Sequence, residues 1–233
     1  MEKPKIFYFS GFDEIVNSFF KFKYPELVVL DTDNNVSGFL KSKDIMKGFF
    51  KGKDVFKSSV SYFISKETEF FIRDNDDHIT FFDVAQNYKD YNISIKNLLC
   101  TDVTTFSLED NIRKVLKKSL KTRTPIIFLY GKNIHCSLLP EELFVYALFN
   151  WRKWIIKGEE EKKEAKVKMF KELKKEKINF VKNIININNT IDESFTLSKC
   201  IKVMLGKRVL TCVTKNGKVL DIRNVYEKIE SEG

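Results

Sequence analysis

Histidine is nearly absent: His78 and His135 are the two among 233 residues, which removes most imidazole metal sites and the usual general base of serine and cysteine hydrolases. Cys100, Cys136, Cys200 and Cys212 form no CxxC pair, and their gaps match neither a disulfide framework nor a zinc site, so they read as buried thiols. The 9 glycines supply neither the Gly-x-x-x-x-Gly-Lys-Ser/Thr of a Walker loop nor the Gly-x-Gly-x-x-Gly of a dinucleotide loop. No apolar run approaches the roughly 18 residues of a membrane helix, and the opening MEKPKIFYFSGFDEI lacks an apolar stretch before a small-residue cleavage site. These absences predict a non-catalytic, soluble cytoplasmic protein with no metal, no required cofactor and no membrane partner.

What is present suits a packed core. Hydrophobic residues make up 43% of the chain, 22 of them Phe, against only 4 Pro, enough apolar surface to offset conformational entropy. Charge is uneven: residues 1–90 carry 13 Lys+Arg against 15 Asp+Glu, and residues 91–233 carry 28 against 17. The basic C-terminal part suits an anionic contact, whether nucleotide, nucleic acid or acidic protein surface; the alternative is a solvated lysine face.

The order of elements repeats. Lys5–Phe9, a helix over Phe12–Phe22, Leu27–Asp31, a turn at Asn34–Asn35, Val36–Leu40 and a helix over Asp44–Phe50 give β-α-β-β-α. A compressed copy without a clear leading strand follows: helix Val55–Ile64, strand Glu69–Arg73, the polar turn DNDD, strand His78–Phe82 and helix Asp83–Tyr88. The third copy has Val103–Phe106, a helix from Leu108 capped by Ser107, Pro125–Tyr130, a turn at Gly131–Lys132, Ile134–Leu138 and a helix starting at Glu141. That helix runs through Leu143, Phe144, Ala147, Leu148, Trp151, Trp154 and Ile155 into a charge-laced linker. The last copy starts with Ile184–Asn188, has a helix marked by Leu197, Cys200, Ile201, Met204 and Leu205, then Val209–Thr214, Asn216–Gly217, Lys218–Ile222 and a helix over Val225–Ile229.

These units resemble cystathionine β-synthase (CBS) domains, most clearly over 26–49, ELVVLDTDNNVSGFLKSKDIMKGF. The resemblance implies an α/β (α+β) fold in which units pair into Bateman modules, as in the nucleotide-sensing gamma subunits of AMP-activated kinases. It implies a first module over 1–92, with units about 1–52 and 53–92, a third unit over 93–157, a helical linker over 158–178, and a fourth unit over 179–233 pairing with the third. Family members that bind adenosine ligands carry Gly-x-x-Thr/Ser-x-x-Asp, with the Asp on ribose hydroxyls and the Thr near phosphate or sugar. Here Gly38 and Asp44 match, with Lys41 at the Thr position; Thr80 and Asp83 match, with Asp77 at the Gly position. The third unit aligns His135, Leu138 and Glu141, and the fourth Asp221, Asn224 and Glu227. The four acids also suit a helix N-terminus on electrostatic grounds alone.

The leading expectation is therefore a regulatory sensor of AMP, ADP, ATP or S-adenosylmethionine that transmits occupancy to a regulated protein partner, or acts as a homodimer. A second reading is an interaction scaffold whose ligand sites have decayed, motivated by the missing glycines and the replaced threonine. A third is nucleic-acid binding through the basic C-terminal half.

Overall fold

The computed structural model describes residues 3–51, 60–74, 77–86, 92–155 and 186–232. Strand β1 (Lys5–Phe7) leads to helix α1 (Phe12–Phe22), the hairpin β2 (Glu26–Leu30) and β3 (Val36–Lys41), and helix α2 (Ser42–Phe50). A 3-10 turn over Val60–Phe63 precedes β4 (Ile64–Ser65), the hairpin β5 (Phe71–Asp74) and β6 (Asp77–Thr80), and α3 (Phe81–Gln86). After β7 (Leu99–Cys100) come β8 (Thr104–Ser107), α4 (Ile112–Ser119), β9 (Ile126–Tyr130), β10 (Asn133–Leu138) and α5 (Pro140–Ile155). The last elements are β11 (Thr190–Ile191), α6 (Leu197–Lys207), β12 (Thr211–Thr214), β13 (Val219–Asp221) and α7 (Ile222–Glu232). Units 1 to 4 here denote β1–α2, β5–α3, β8–α5 and β11–α7.

In units 1, 3 and 4 the leading strand pairs parallel with the second, across a helix, and the second pairs antiparallel with the third. A parallel neighbour needs such a crossover, whereas an antiparallel one needs only a turn. Those turns hold Asn34, Gly131 and Gly217 at positive φ, where the small or side-chain-bonding residue tolerates a left-handed backbone. Unit 2 consists of the two-stranded sheet β5–β6 and α3. The short strands between units are lent outward: β4 completes the sheet of unit 1 and β7 that of unit 4.

Gly38 makes the first of these possible. Its φ is +151, and a Cβ there would stand 2.5 Å from Ile64 Cγ2 and from the Ser65 carbonyl oxygen, so a side chain is incompatible with β4 beside β3.

Apolar periodicity then decides the packing. α1 and α2 bury Ile15, Val16, Phe19, Ile45, Met46 and Phe49 against Leu143, Phe144, Ala147 and Leu148 of α5, with Ile112, Val115 and Leu116 of α4 in the same cluster. Each fully buried Leu or Phe in such a face contributes about 1.5–3 kcal/mol. A second cluster joins Phe70, Phe71, Phe81 and Phe82 of unit 2 and its flank to Leu197, Cys200, Ile201 and Met204 of α6. Helices therefore pack unit 1 on unit 3 and unit 2 on unit 4.

Polar links join the other pairs. Buried Glu26 accepts from Thr68 Oγ1 (2.6 Å), Glu69 N (3.0 Å) and Phe70 N (3.1 Å), fixing β2 to the lead-in of β5. Asn189 sits between units 3 and 4: its Nδ2 donates to the carbonyls of Ser137 (2.8 Å) and Thr211 (2.9 Å), and its Oδ1 accepts from Ser137 N (3.1 Å).

Several boundaries differ from the sequence reading. Of the expected strand Ile184–Asn188, residues 184–185 lie outside the described residues and 186–188 form no strand; the parallel strand is Thr190–Ile191, because Asn189 spends its side chain on the buried knot. Of the expected helix Val55–Ile64, residues 55–59 lie outside the described residues and the remainder is a 3-10 turn running into β4. Helix α4 begins at Ile112 and is capped by Asn111, whose side chain accepts from Lys114 N; Ser107 instead turns the chain, accepting from Glu109 N. The charged linker, and the side chains of Trp151 and Trp154, lie outside what is described. Among the described residues no helix is long and apolar enough to cross a membrane.

Candidate ligand clefts

Each unit passes from its last strand into a helix, and the third helical residue holds the carboxylate position. Those residues are Asp44, Asp83, Glu142 and Asn224. The expected positions hold in units 1 and 2 and shift in units 3 and 4. Both β3 and β10 carry a one-residue bulge, between Val36 and Gly38 and between Ile134 and Cys136, and α5 starts at Pro140, so the counterpart of Asp44 and Asp83 is Glu142 rather than Glu141. In unit 4 the helix begins at Ile222, which leaves Glu227 exposed in the second turn of α7 and brings Asn224 to the third position, with Asp221 ending the strand.

Units 1 and 2 each open a cleft. Cleft A, of about 330 Å³, is lined by Lys41, Lys43, Asp44 and Lys47 of unit 1, Glu69 before β5, and the Leu120–Arg123 loop of unit 3. Lys41 ends β3 with Nζ 3.2 Å from Glu69 and 3.6 Å from Glu26. Asp44 pairs with Lys47 at 2.9 Å, and Lys43 with Glu141 at 3.2 Å. The Glu141 backbone carbonyl also accepts from Ser42 Oγ at 3.0 Å, so Glu141 clamps unit 1 to unit 3 from beside the cleft. Burial raises the Glu26 carboxyl, and its hydrogen bonds and Lys41 only partly oppose this.

Cleft B, of about 140 Å³, is walled by Pro4, Phe22, Tyr24, Phe82 and Leu205, with Lys21 and Arg208 beside Thr80 and Asp83. Thr80 and Asp83 form a reciprocal cap: Asp83 Oδ2 accepts from Thr80 N (2.8 Å) and Thr80 Oγ1 (2.7 Å), and Thr80 Oγ1 accepts from Asp83 N (3.2 Å). These bonds use Oδ2 and leave Oδ1 outside the cap. Tyr24 Oη donates to the Phe70 carbonyl and accepts from Phe81 N at 3.2 Å, and its burial raises the phenol well above its ordinary value.

The two clefts correspond. Each combines the helix-start acid of one unit, the lead-in to the other unit's hairpin, and an arginine from units 3 and 4: Arg123 in cleft A, Arg208 in cleft B. Neither arginine, nor Tyr24, nor Glu69 has a motif spacing to announce it, because each reaches its cleft by tertiary packing.

The equivalent positions of units 3 and 4 are filled from within. Glu142 is buried, and its two oxygens accept from Leu139 N (2.8 Å) and Leu210 N (2.9 Å); desolvation pushes its carboxyl up to about 8. Asp221 is held by Arg223, whose Nε lies 2.9 Å from Oδ2 and whose Nη2 continues to the Arg123 carbonyl at 3.1 Å. Asn224 Nδ2 donates to the Leu98 carbonyl at 3.2 Å. Of the expected ligand residues, the structure thus brings Lys41 and Asp44 to cleft A and Thr80 and Asp83 to cleft B. Gly38 serves strand packing, and Glu141, Asn224 and Glu227 line neither cleft. Among the described residues no group of three His, Cys, Asp or Glu is placed to hold a metal ion.

No family profile and no curated protein matches the chain. Among solved structures, the fold is similar to that of protein MJ1225 from Methanocaldococcus jannaschii, described as a proposed archaeal homologue of g-AMPK. The TM-score is 0.62 at 12% identity, over 98% of this chain and 96% of that one, so the likeness is one of mixed α/β fold across nearly the whole length. Staphylococcus aureus OpuCA aligns at 11% identity over 61% of this chain and 90% of that one, with a TM-score of 0.24, too low to argue from.

Proposed function

We propose that the chain is a non-catalytic regulatory protein that senses an adenine nucleotide in cleft B and passes occupancy to a protein partner. The convergence of Thr80 and Asp83 with the aromatic wall of Phe22, Tyr24 and Phe82 carries this reading. An apolar slot suits a planar base, Asp83 Oδ1 suits ribose hydroxyls, and Lys21 and Arg208 suit phosphate. The full-length likeness to a proposed g-AMPK homologue supports the same class of activity. Because the cleft takes residues from unit 1, unit 2 and α6 with its cap, a ligand bridging them favours one arrangement of the units, and only that difference in affinity transmits a signal.

Units 3 and 4 support the scaffold reading for their own half: their carboxylate positions are occupied by internal hydrogen bonds, which suits a structural role. Calorimetry with AMP, ADP, ATP and S-adenosylmethionine tests the proposal. Saturable heat from at least one, weakened about tenfold by Asp83→Ala and unaffected by Glu227→Ala, is expected. Silence from all four at millimolar ligand overturns it.

A further inference from the structure

Cleft A differs from cleft B in chemistry despite its corresponding position. Lys41, Lys43, Lys47, Lys121 and Arg123 face Asp44 and Glu69, and Leu120 is the one apolar residue among the described residues that line it. Among the described residues no aromatic side chain lines it. Five cationic side chains line it against two carboxylates; Lys41, Lys43 and Lys47 are paired with Glu69, Glu141 and Asp44. Partial burial works to raise the Glu69 carboxyl, yet Lys41, by charge and hydrogen bond, with Lys43 and Arg123, holds it below the usual carboxylate value. Glu69 is thus the anion now seated among these cations, on a half-exposed side chain able to swing away. The N-terminus of α2 carries no side-chain cap; Ser42 N donates to the Pro25 carbonyl at 2.9 Å, which leaves the N–H groups of Lys43 and Asp44 for an anion. Among the described residues the side chains of Lys121 and Arg123 make no ion pair.

We propose that cleft A is a site for a phosphate chain, a di- or triphosphate recognised without its base, that clamps unit 1 to unit 3. Lysines suit it as point charges, and Arg123 adds a planar fork for two oxygens. The clamp reaches unit 4, because the carbonyl of Arg123 receives Arg223 Nη2, which is paired to Asp221 at the head of α7. Phosphate at Lys121 and Arg123 therefore steadies the loop on which Arg223 rests. This site is separate from the adenosine site assigned to cleft B, and either assignment can fail alone.

The test titrates the full chain with tripolyphosphate, ATP and adenosine. Saturable tripolyphosphate binding is expected, weakened about tenfold or more in Lys121→Glu/Arg123→Glu and less in Lys47→Ala, with adenosine failing to compete. ATP should displace tripolyphosphate with similar affinity, since only the chain is read. Circular dichroism verifies that these surface variants fold. Absence of tripolyphosphate binding, an unchanged affinity in the double variant, or competition by adenosine overturns the assignment, as does ATP binding cleft A far more tightly than tripolyphosphate. Adenosine heat alone reports on cleft B.

Discussion

Glu142 Oε1 accepts a hydrogen bond from the backbone N–H of Leu210 at 2.9 Å, across 68 residues of sequence, while Oε2 accepts from Leu139 N. One buried carboxyl therefore ties the head of α5 in unit 3 to the start of β12 in unit 4. Cys136 and Tyr146 stand close enough that the charge of Glu142 raises both of them further, after burial itself.

The carboxyl of Glu142, pushed up to about 8 from 4.5, links stability to pH. A folded value above the unfolded one means that the folded chain holds the extra proton. The contribution is complete below about pH 4.5 and is lost as pH rises through about 8, a difference of roughly 2–5 kcal/mol. Thermal melts of the wild type should fall in Tm between pH 5 and 8. In Glu142→Gln that slope should shrink, while Tm at pH 5 drops because one backbone N–H now faces an amide NH2.

Lys43 and Glu141 form a nearly buried pair, with side chains 12% and 6% exposed, and Glu141 Oε2 has no hydrogen-bond partner. Lys43→Met leaves a buried carboxylate uncompensated and should destabilise by about 3–5 kcal/mol. Adding Glu141→Gln should recover much of that loss. Urea denaturation of both singles and the double measures the coupling, and simple additivity would contradict the pair's role.

Gly38→Ala should disrupt the β3–β4 pairing, because the new methyl meets the Ser65 backbone oxygen and not only a movable side chain. Strain at positive φ adds to the clash, so a loss of about 2 kcal/mol or more is expected by denaturation. Hydrogen exchange should show opening localised at Ile64 and Ser65.

Asn189→Ala removes two donors and an acceptor from a buried network that includes Ser137 and Thr211. Stranding those backbone groups should cost about 3 kcal/mol or more. Asn189→Asp should be comparably harmful, since it replaces the amide donors by acceptors facing carbonyls.

How much of this was legible depended on how local the cause was. The helix Phe12–Phe22 and the hairpins at Asn34, Gly131 and Gly217 follow from periodicity and turn chemistry, which act within a few residues. Thr80 and Asp83 could be paired from their spacing, because a capping box is itself a short-range device. The start of α5 at Pro140 could not be read, and with it went the step from Glu141 to Glu142; the bulge shared by β3 and β10 answers to the partner strands, not to sequence neighbours. Ile184–Asn188 alternates like a strand in sequence, but the polar side chain of the next residue, Asn189, finds a buried partner across the unit boundary.

By itself the amino-acid order determined the β-α-β-β-α order of units 1, 3 and 4, their apolar faces and the helix-start acids Asp44 and Asp83, since each depends on residues a turn or a strand apart. Only tertiary structure decided which helix starts open onto clefts and which are plugged. Arg123, Arg208, Tyr24 and Glu69 reach the clefts of units 1 and 2 from distant segments, whereas Leu210 and Arg223 close the corresponding places in units 3 and 4. Such meetings arise when apolar faces are buried against one another, and no local pattern encodes which polar groups that burial brings together.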